Sequence, residues 1–293
     1  MKRRNFIQLS VGVLPLLSFK FPASSGHRIM TCNIRVALDE DEEKGVGWSS
    51  RKKICLDIIS KYKPDIICLQ EVLKGQAADF KKHFSGYQLL GFDGPEMDAN
   101  PVGYHGIAKN PILYSTKKYE LISAGTYWLS ETPLVAGSKS WDTARARHAN
   151  WIRLKDKSTG KEFRVINLHL DHVSNDAKFQ QLKMVIEEAG QYLPAFPQIL
   201  CGDFNSRFQS NVFSSPRNAG WKEGMEILYG EKEMGFTGHA FKGLQYEKGP
   251  SGGRIDFVWY KGDIEVKRAE ILRDEVKGVY PSDHFFVLND FQL

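Results

Sequence analysis

No apolar run in this 293-residue chain reaches the roughly 18 residues that a membrane-spanning helix needs. Cysteine is scarce as well, with four residues, Cys32, Cys55, Cys68 and Cys201, and no C-x-x-C spacing that would suggest a zinc or redox site. Three of them sit in short apolar runs and Cys55 in an amphipathic helical pattern, so all four are expected as buried thiols rather than disulfides. Internal repeats are missing, and no linker-like shift in composition marks a second domain. What remains is 42% hydrophobic, 26% charged and 12% aromatic. Those fractions exclude a disordered, collagen-like or coiled-coil chain and predict a soluble one with a sizeable core.

The net charge of +5 is unevenly placed. Lys2, Arg3, Arg4 and Lys20 lie in the first 25 residues, which contain no acid. Setting those four aside leaves 36 basic against 35 acidic residues, or +1, so the body carries no global nucleic-acid signature. Basic residues, then an apolar stretch from Val11 to Phe19, then Ala23-Ser24-Ser25, follow the order of an export signal. Arg3-Arg4 with Phe6-Ile7 resembles the twin-arginine type. The expected organisation is a signal over 1–25 and one domain over 26–293, exported to the periplasm or beyond in a bacterium.

From Arg28 onward the pattern alternates between strand-like and helix-like segments. Strands are predicted at Arg28–Val36, Ile66–Leu69, Tyr87–Gly91, Ile112–Tyr114, Tyr119–Trp128, Ala149–Leu154, Phe163–Leu168, Gln198–Cys201, Arg254–Tyr260, Ile264–Leu272 and Phe285–Phe291. Helices are predicted at Ser50–Lys61, with Ser49 or Ser50 as N-cap, at Gln76–Phe84, and at Asn175–Tyr192, ended by Pro194 and Pro197. Asp93–Asn110 and Phe236–Gly253 read as long loops. Strands outnumber helices, and the helices come singly between them. That argues for an α/β sandwich of sheet packed on sheet with helices outside.

Several strand-like runs end in a polar cluster: Asn33; Gln70-Glu71; His169 with Asp171-His172; Gly202-Asp203-Phe204-Asn205; Asp256; and Ser282-Asp283-His284. Taken singly, each has an ordinary reading. The G-D-x-N cluster is a turn composition, and Glu71 could be a salt-bridge partner. Asp256, flanked by Ile255 and Phe257, is less easily dismissed, because an acid in a buried strand needs a dedicated partner. Six such places in one chain suggest convergence.

Their joint order resembles the endonuclease/exonuclease/phosphatase superfamily, which includes deoxyribonucleases, apurinic-site endonucleases, sphingomyelinases, inositol-phosphate 5-phosphatases and deadenylases. The likeness runs from RIMTCNIRV through LQE, NLHLDH and GDFN to RIDF and PSDH. It implies a four-layer α/β sandwich, two packed and mainly antiparallel sheets flanked by helices, with the site at one edge. It implies Glu71 as principal metal ligand beside Asn33 and Asp283. It makes Asp203 the residue that orients an attacking water, with Asn205 beside it, and His169 a phosphate donor. Asp256 and His284 become a hydrogen-bonded pair, and Arg147 a phosphate-facing arginine with Arg145 as rival. A hard carboxylate suits Mg²⁺, with Mn²⁺ or Ca²⁺ possible, better than zinc. In a strand, positions i and i+2 share a face, which would let Asp203 and Asn205 reach one phosphate. Asp171 and His172 are expected to order the loop after their strand.

Two departures stand out. The first motif is Asn33-Ile34-Arg35 where apurinic-site endonucleases carry Asn-x-Asp, so a third acidic ligand is lacking. The stretch Gly106-Ile107-Ala108-Lys109-Asn110 has no acid where relatives often place one to support the site histidine. The resulting expectation is a monomeric Mg²⁺-dependent phosphodiesterase without stable membrane insertion. A phosphomonoesterase of sugar or inositol phosphates and a non-catalytic binding module are the alternatives.

Overall fold

The computed structural model describes residues 26–94, 108–230, 235–248 and 252–293. The expected signal over 1–25 lies outside them, as do 95–107 and 249–251 of the two expected loops. Twelve strands form two six-stranded sheets among the described residues. They are β1 (His27–Asn33), β2 (Ile66–Gln70), β3 (Tyr87–Leu90), β4 (Ile112–Ser115), β5 (Tyr119–Trp128), β6 (His148–Asp156), β7 (Glu162–His169), β8 (Gln198–Asp203), β9 (Lys222–Glu223), β10 (Asp256–Lys261), β11 (Glu265–Leu272) and β12 (Phe286–Gln292). One sheet runs β11-β12-β1-β2-β4-β3 and the other β5-β6-β7-β8-β10-β9. Only β1–β2 and β7–β8 are parallel pairs, so both sheets are mixed and mainly antiparallel.

The helices are α1 (Asp39–Glu43), α2 (Trp48–Tyr62), α3 (Lys74–His83), α4 (Asn175–Ala189), α5 (Ser214–Asn218) and α6 (Gly224–Tyr229); α2, α3 and α4 cover outer faces, while α6 turns Met225 and Leu228 into the core between the sheets. The continuous apolar runs explain this layering. Along β2, Ile66 and Cys68 face the other sheet while Ile67 and Leu69 face α2 and α3. Along β7 and β8, Val165, Ile199 and Cys201 pack between the sheets, whereas Ile166, Leu168 and Leu200 meet Leu182 and Val185 of α4. A strand buried on both faces has no polar alternation to show. The order is thus helices, sheet, sheet, helix, the expected four-layer sandwich. All four cysteines are buried and free. No helix among the described residues is long and apolar enough to cross a membrane.

Local expectations needed correcting at their ends. β1 stops at Asn33 rather than Val36, because Arg35 takes a left-handed φ of +58° that no strand continues through. α2 starts at Trp48 after Gly47, so neither Ser49 nor Ser50 is its N-cap. α4 ends at Ala189, capped by Gly190, several residues before the prolines.

Candidate active site

Register brings the polar strand ends to one edge. Parallel pairing sets Asn33 beside Gln70, and His169 beside Asp203. Antiparallel pairing sets Asp256 opposite Asp203. Strand β12 enters next to β1 directly after Asp283-His284. Gly202 makes the β7–β8 approach possible: its φ is +146°, and a Cβ there would stand 2.0 Å from the Leu168 carbonyl oxygen.

Asp203 is the hub. Its Oδ2 accepts from Asn33 Nδ2 at 3.0 Å and lies 3.4 Å from His169 Nε2 and 4.0 Å from His284 Nε2. Its Oδ1 accepts from the Asn205 backbone N–H at 2.8 Å. Burial, then the neighbouring Asp256 charge, pushes this carboxyl up to about 7, against the pull of His284. Asn205 reaches the same point by a different route from the expected one. The strand ends at Asp203, Asn205 turns left-handed at φ +48°, and its amide meets His169 Nε2 at 3.0 Å and the Leu170 carbonyl at 3.1 Å.

His284 Nδ1 lies 2.9 Å from Asp256 Oδ2. Burial opposes charge on this ring, but Asp256, Asp203 and Asp283 outweigh it and raise its pKa well above the usual histidine value. His169 goes the other way, lowered well below that value by burial and by Arg147. Its Nδ1 is buried without a partner among the described residues, consistent with the missing acid noted in the sequence.

Glu71 follows β2 with a left-handed φ of +61°. Its Oε1 accepts from Asn33 Nδ2 at 3.1 Å and its Oε2 from the Val36 N–H at 3.1 Å. Burial and the Glu71 charge push Asp283 up, while His284 and Arg35 pull it down. Glu71, Asn33 and Asp283 offer hard oxygen donors around carboxylates that repel one another, a donor set that fits Mg²⁺, Mn²⁺ or Ca²⁺. Asp203, Asp256 and His284 also bring possible ligand atoms within 4.8 Å of one another. There the His284–Asp256 hydrogen bond already engages two of the three groups, as hydrogen bonds from Asn33 and Val36 engage Glu71 on the other side.

A cleft of about 380 Å³ is lined by Glu71, His169, Asp203, Asn205, Asp283 and His284 together with Arg35, His172 and both candidate arginines, Arg145 and Arg147. Arg147 Nη2 lies 3.5 Å from His172 Nδ1, and its Nε is buried without a partner among the described residues. Asp171 orders the neighbouring loops, as expected, accepting from the backbone N–H groups of Ala144, Val173 and Ser174 at 2.7–3.0 Å. His172 stands at the cleft instead, 46% exposed.

Other supporting residues escaped the sequence reading. Gln70 Nε2 donates to Asn167 Oδ1 at 2.7 Å and to Thr31 Oγ1 at 3.0 Å, tying the two sheets together directly before Glu71. Buried Arg51 donates to the carbonyls of Ile34, Arg35, Val46 and Pro281, fastening the turn after β1 to the approach to β12. Asn167 is one polar residue inside an apolar run and Arg51 one cation in the stretch Ser49-Ser50-Arg51-Lys52-Lys53, so nothing in the linear sequence marked either.

A family model described as the endonuclease/exonuclease/phosphatase family matches residues 30–284. A crystal structure of an endonuclease/exonuclease/phosphatase from Bacteroides vulgatus is 28% identical, with a TM-score of 0.80, and the match covers 92% of this chain and 100% of that one. A mannosyl-6-phosphatase of Bacteroides thetaiotaomicron is 28% identical, with a TM-score of 0.78, covering 91% and 100%. The Ccr4 exoribonuclease subunit of the CCR4-Not complex of Schizosaccharomyces pombe is 24% identical over 312 residues, covering 85% of this chain and 45% of that protein. The chain thus spans about half the length of such curated relatives. It belongs to the endonuclease/exonuclease/phosphatase family, whose members hydrolyse phosphoester bonds and generally depend on a divalent cation.

Proposed function

We propose that this member of the endonuclease/exonuclease/phosphatase family is a phosphoester hydrolase assisted by Mg²⁺, with Asp203 directing the attacking water. One observation supports this above the rest: Asp203 Oδ2 has nitrogens of Asn33, His169 and His284 within 4.0 Å, and Asp203, His169 and His284 line one cleft with Glu71 and Asp283. In the proposed sequence of events, Asp203 orients a water and takes its proton. Asn205, His169 and Arg147 hold phosphate oxygens, Arg145 standing beside them. Asp256 keeps the His284 ring oriented and cationic, so that His284 donates to the phosphate as negative charge builds there. Glu71, Asn33 and Asp283 would hold the cation, which would neutralise charge on the phosphate and on the leaving oxygen.

The sequence alone favours a phosphodiester. Two observations favour a phosphomonoester of a small hydroxylated molecule. No Trp, Tyr or Phe lines the cleft among the described residues, so a stacking platform for nucleic-acid bases is missing. One of the relatives matched over its whole length, at 28% identity, is a mannosyl-6-phosphatase. Export through a signal over 1–25 and a monomeric state complete the proposal.

The test is a panel of phosphate esters (sugar and inositol phosphates, glycerophosphodiesters, sphingomyelin and RNA) assayed with Mg²⁺ and with EDTA. Cation-dependent turnover of at least one ester is expected, and none with any divalent cation would overturn the reading. An N-terminus near Gly26 in protein purified from its host would support export, and an intact Met1 would contradict it.

A further inference from the structure

Arg35 stands where the resemblance would place an acid, and the chain holds it there from several sides. Its backbone N–H donates to Asn33 Oδ1 at 3.0 Å. Its carbonyl accepts from Arg51 Nη2 at 2.7 Å and from Gln76 Nε2 at 2.9 Å. The left-handed φ of +58° costs a non-glycine residue on the order of 1 kcal/mol, and such strain persists only where the surroundings over-determine it.

The guanidinium is fixed along one edge. Nε donates to Asp41 Oδ2 at 2.8 Å and Nη2 to Asp41 Oδ1 at 3.3 Å, and the Asp41 side chain is only 4% exposed. Glu40 lies 3.8 Å from Nη2. Nη1, by contrast, faces the cleft, where Asp283 Oδ2 stands at 3.6 Å, too far for a hydrogen bond. Anchoring α1 to the cleft wall would need only the Nε–Nη2 edge. The remaining edge presents N–H donors, in the same cleft as Arg145, Arg147 and His284, with no hydrogen-bond acceptor among the described residues.

We propose, resting on the phosphoester-hydrolase reading above, that Arg35 is a specificity-determining residue whose Nη1 hydrogens bind the third terminal oxygen that a phosphomonoester has and a phosphodiester lacks. At neutral pH a monoester carries between one and a half and two negative charges, roughly, against one for a diester. An arginine fork suits such an oxygen both in charge and in shape. An ester carbon in that place would strip water from Nη1 and return no hydrogen bond.

The test separates binding from turnover. Methylphosphonate has three terminal oxygens and resists hydrolysis, and its monomethyl ester has two. Titration calorimetry with Mg²⁺ at pH 8 is expected to show the wild type preferring methylphosphonate by about 10-fold or more, equivalent to about 1.4 kcal/mol. Arg35→Gln should bring the two affinities within about 3-fold of each other, and Arg35→Lys, which keeps the charge without the fork, should fall between. The kcat/KM ratio for p-nitrophenyl phosphate over bis-p-nitrophenyl phosphate should fall about 10-fold in Arg35→Gln. Asp41→Asn, which loosens the guanidinium and keeps its charge, should lower the preference less than Arg35→Gln does. A wild-type preference near one, or equal ratios in wild type and a thermally intact Arg35→Gln, would overturn the inference. If the wild type turned over no ester but Arg35→Gln still erased the phosphonate preference, the hydrolase reading would fail and the anion selectivity of Arg35 would stand.

Discussion

The side-chain amide of Asn33 donates to Oδ2 of Asp203 at 3.0 Å, joining the end of β1 in one sheet to the end of β8 in the other. The same amide nitrogen lies 3.1 Å from Glu71. One small side chain therefore connects the proposed cation side of the cleft to the proposed water side.

Removing that amide should hurt twice. Asn33→Ala leaves the buried Asp203 carboxylate short of a donor, at a cost of about 1–3 kcal/mol, and should lower kcat about 10²-fold. Asn33→Asp places a like charge beside both Asp203 and Glu71 and should be worse in stability when no divalent cation is present. Melting curves with steady-state kinetics check both. Full activity in Asn33→Ala would contradict the proposed role.

Asp256 and His284 should behave as a unit. Asp256→Asn and His284→Ala are each expected to lower kcat about 10²- to 10³-fold. The double variant should be little worse than His284→Ala alone, because Asp256 acts through the ring it holds at 2.9 Å. Multiplicative losses would show two independent roles.

The proposed cation site can be tested without turnover. Mn²⁺ binding followed by electron paramagnetic resonance should weaken at least about 10-fold in Glu71→Gln, and EDTA should abolish wild-type hydrolysis. Equal Mn²⁺ affinity in both proteins would move the cation elsewhere, with the cluster at Asp203, Asp256 and His284 as the next candidate.

Far from the cleft, His27 gives the fold a pH dependence. Its Nδ1 bonds the Tyr119 hydroxyl at 2.7 Å and its Nε2 lies 3.5 Å from Asp156. Burial, with Lys118 and Lys161 adding to it and Asp156 opposing, lowers its pKa to about 4. Because the folded value is depressed, the unfolded chain takes up the proton first. The neutral ring's stability is therefore full above about pH 6.5 and is lost as pH falls toward 4. Relative to His27→Gln, the wild type should lose about 1–2 kcal/mol between pH 6.5 and 5. A constant difference between the two proteins would contradict this.

How much of this was legible in the sequence varies with the range of the contacts. Apolar runs such as Ile66–Leu69 and Phe163–Leu168 placed the strands, and strong helical periodicity placed α2, α3 and α4 near their observed positions. The polar strand ends were legible because acids beside buried strands are costly and therefore conspicuous. Short elements such as α1, α5 and β9 carry too few residues to leave a periodic trace. The left-handed turns at Arg35 and Glu71 were invisible for another reason: side chains distant in sequence hold them, Arg51 and Gln76 at the first and Asn33 at the second. Arg35 looked like the loss of a ligand, and only its neighbours reveal a guanidinium fixed in the cleft.

Turnover by Asp203→Ala is the sharpest single test, measured as Mg²⁺-dependent kcat on p-nitrophenyl phosphate beside the melting temperature of the same preparation. Loss of the residue that directs the water should lower kcat about 10³-fold. Melting without divalent cation should stay level or rise, since a buried carboxyl beside Asp256 is removed. A folded Asp203→Ala that turns over ester within about 3-fold of the wild type would place the chemistry elsewhere and contradict the proposed mechanism.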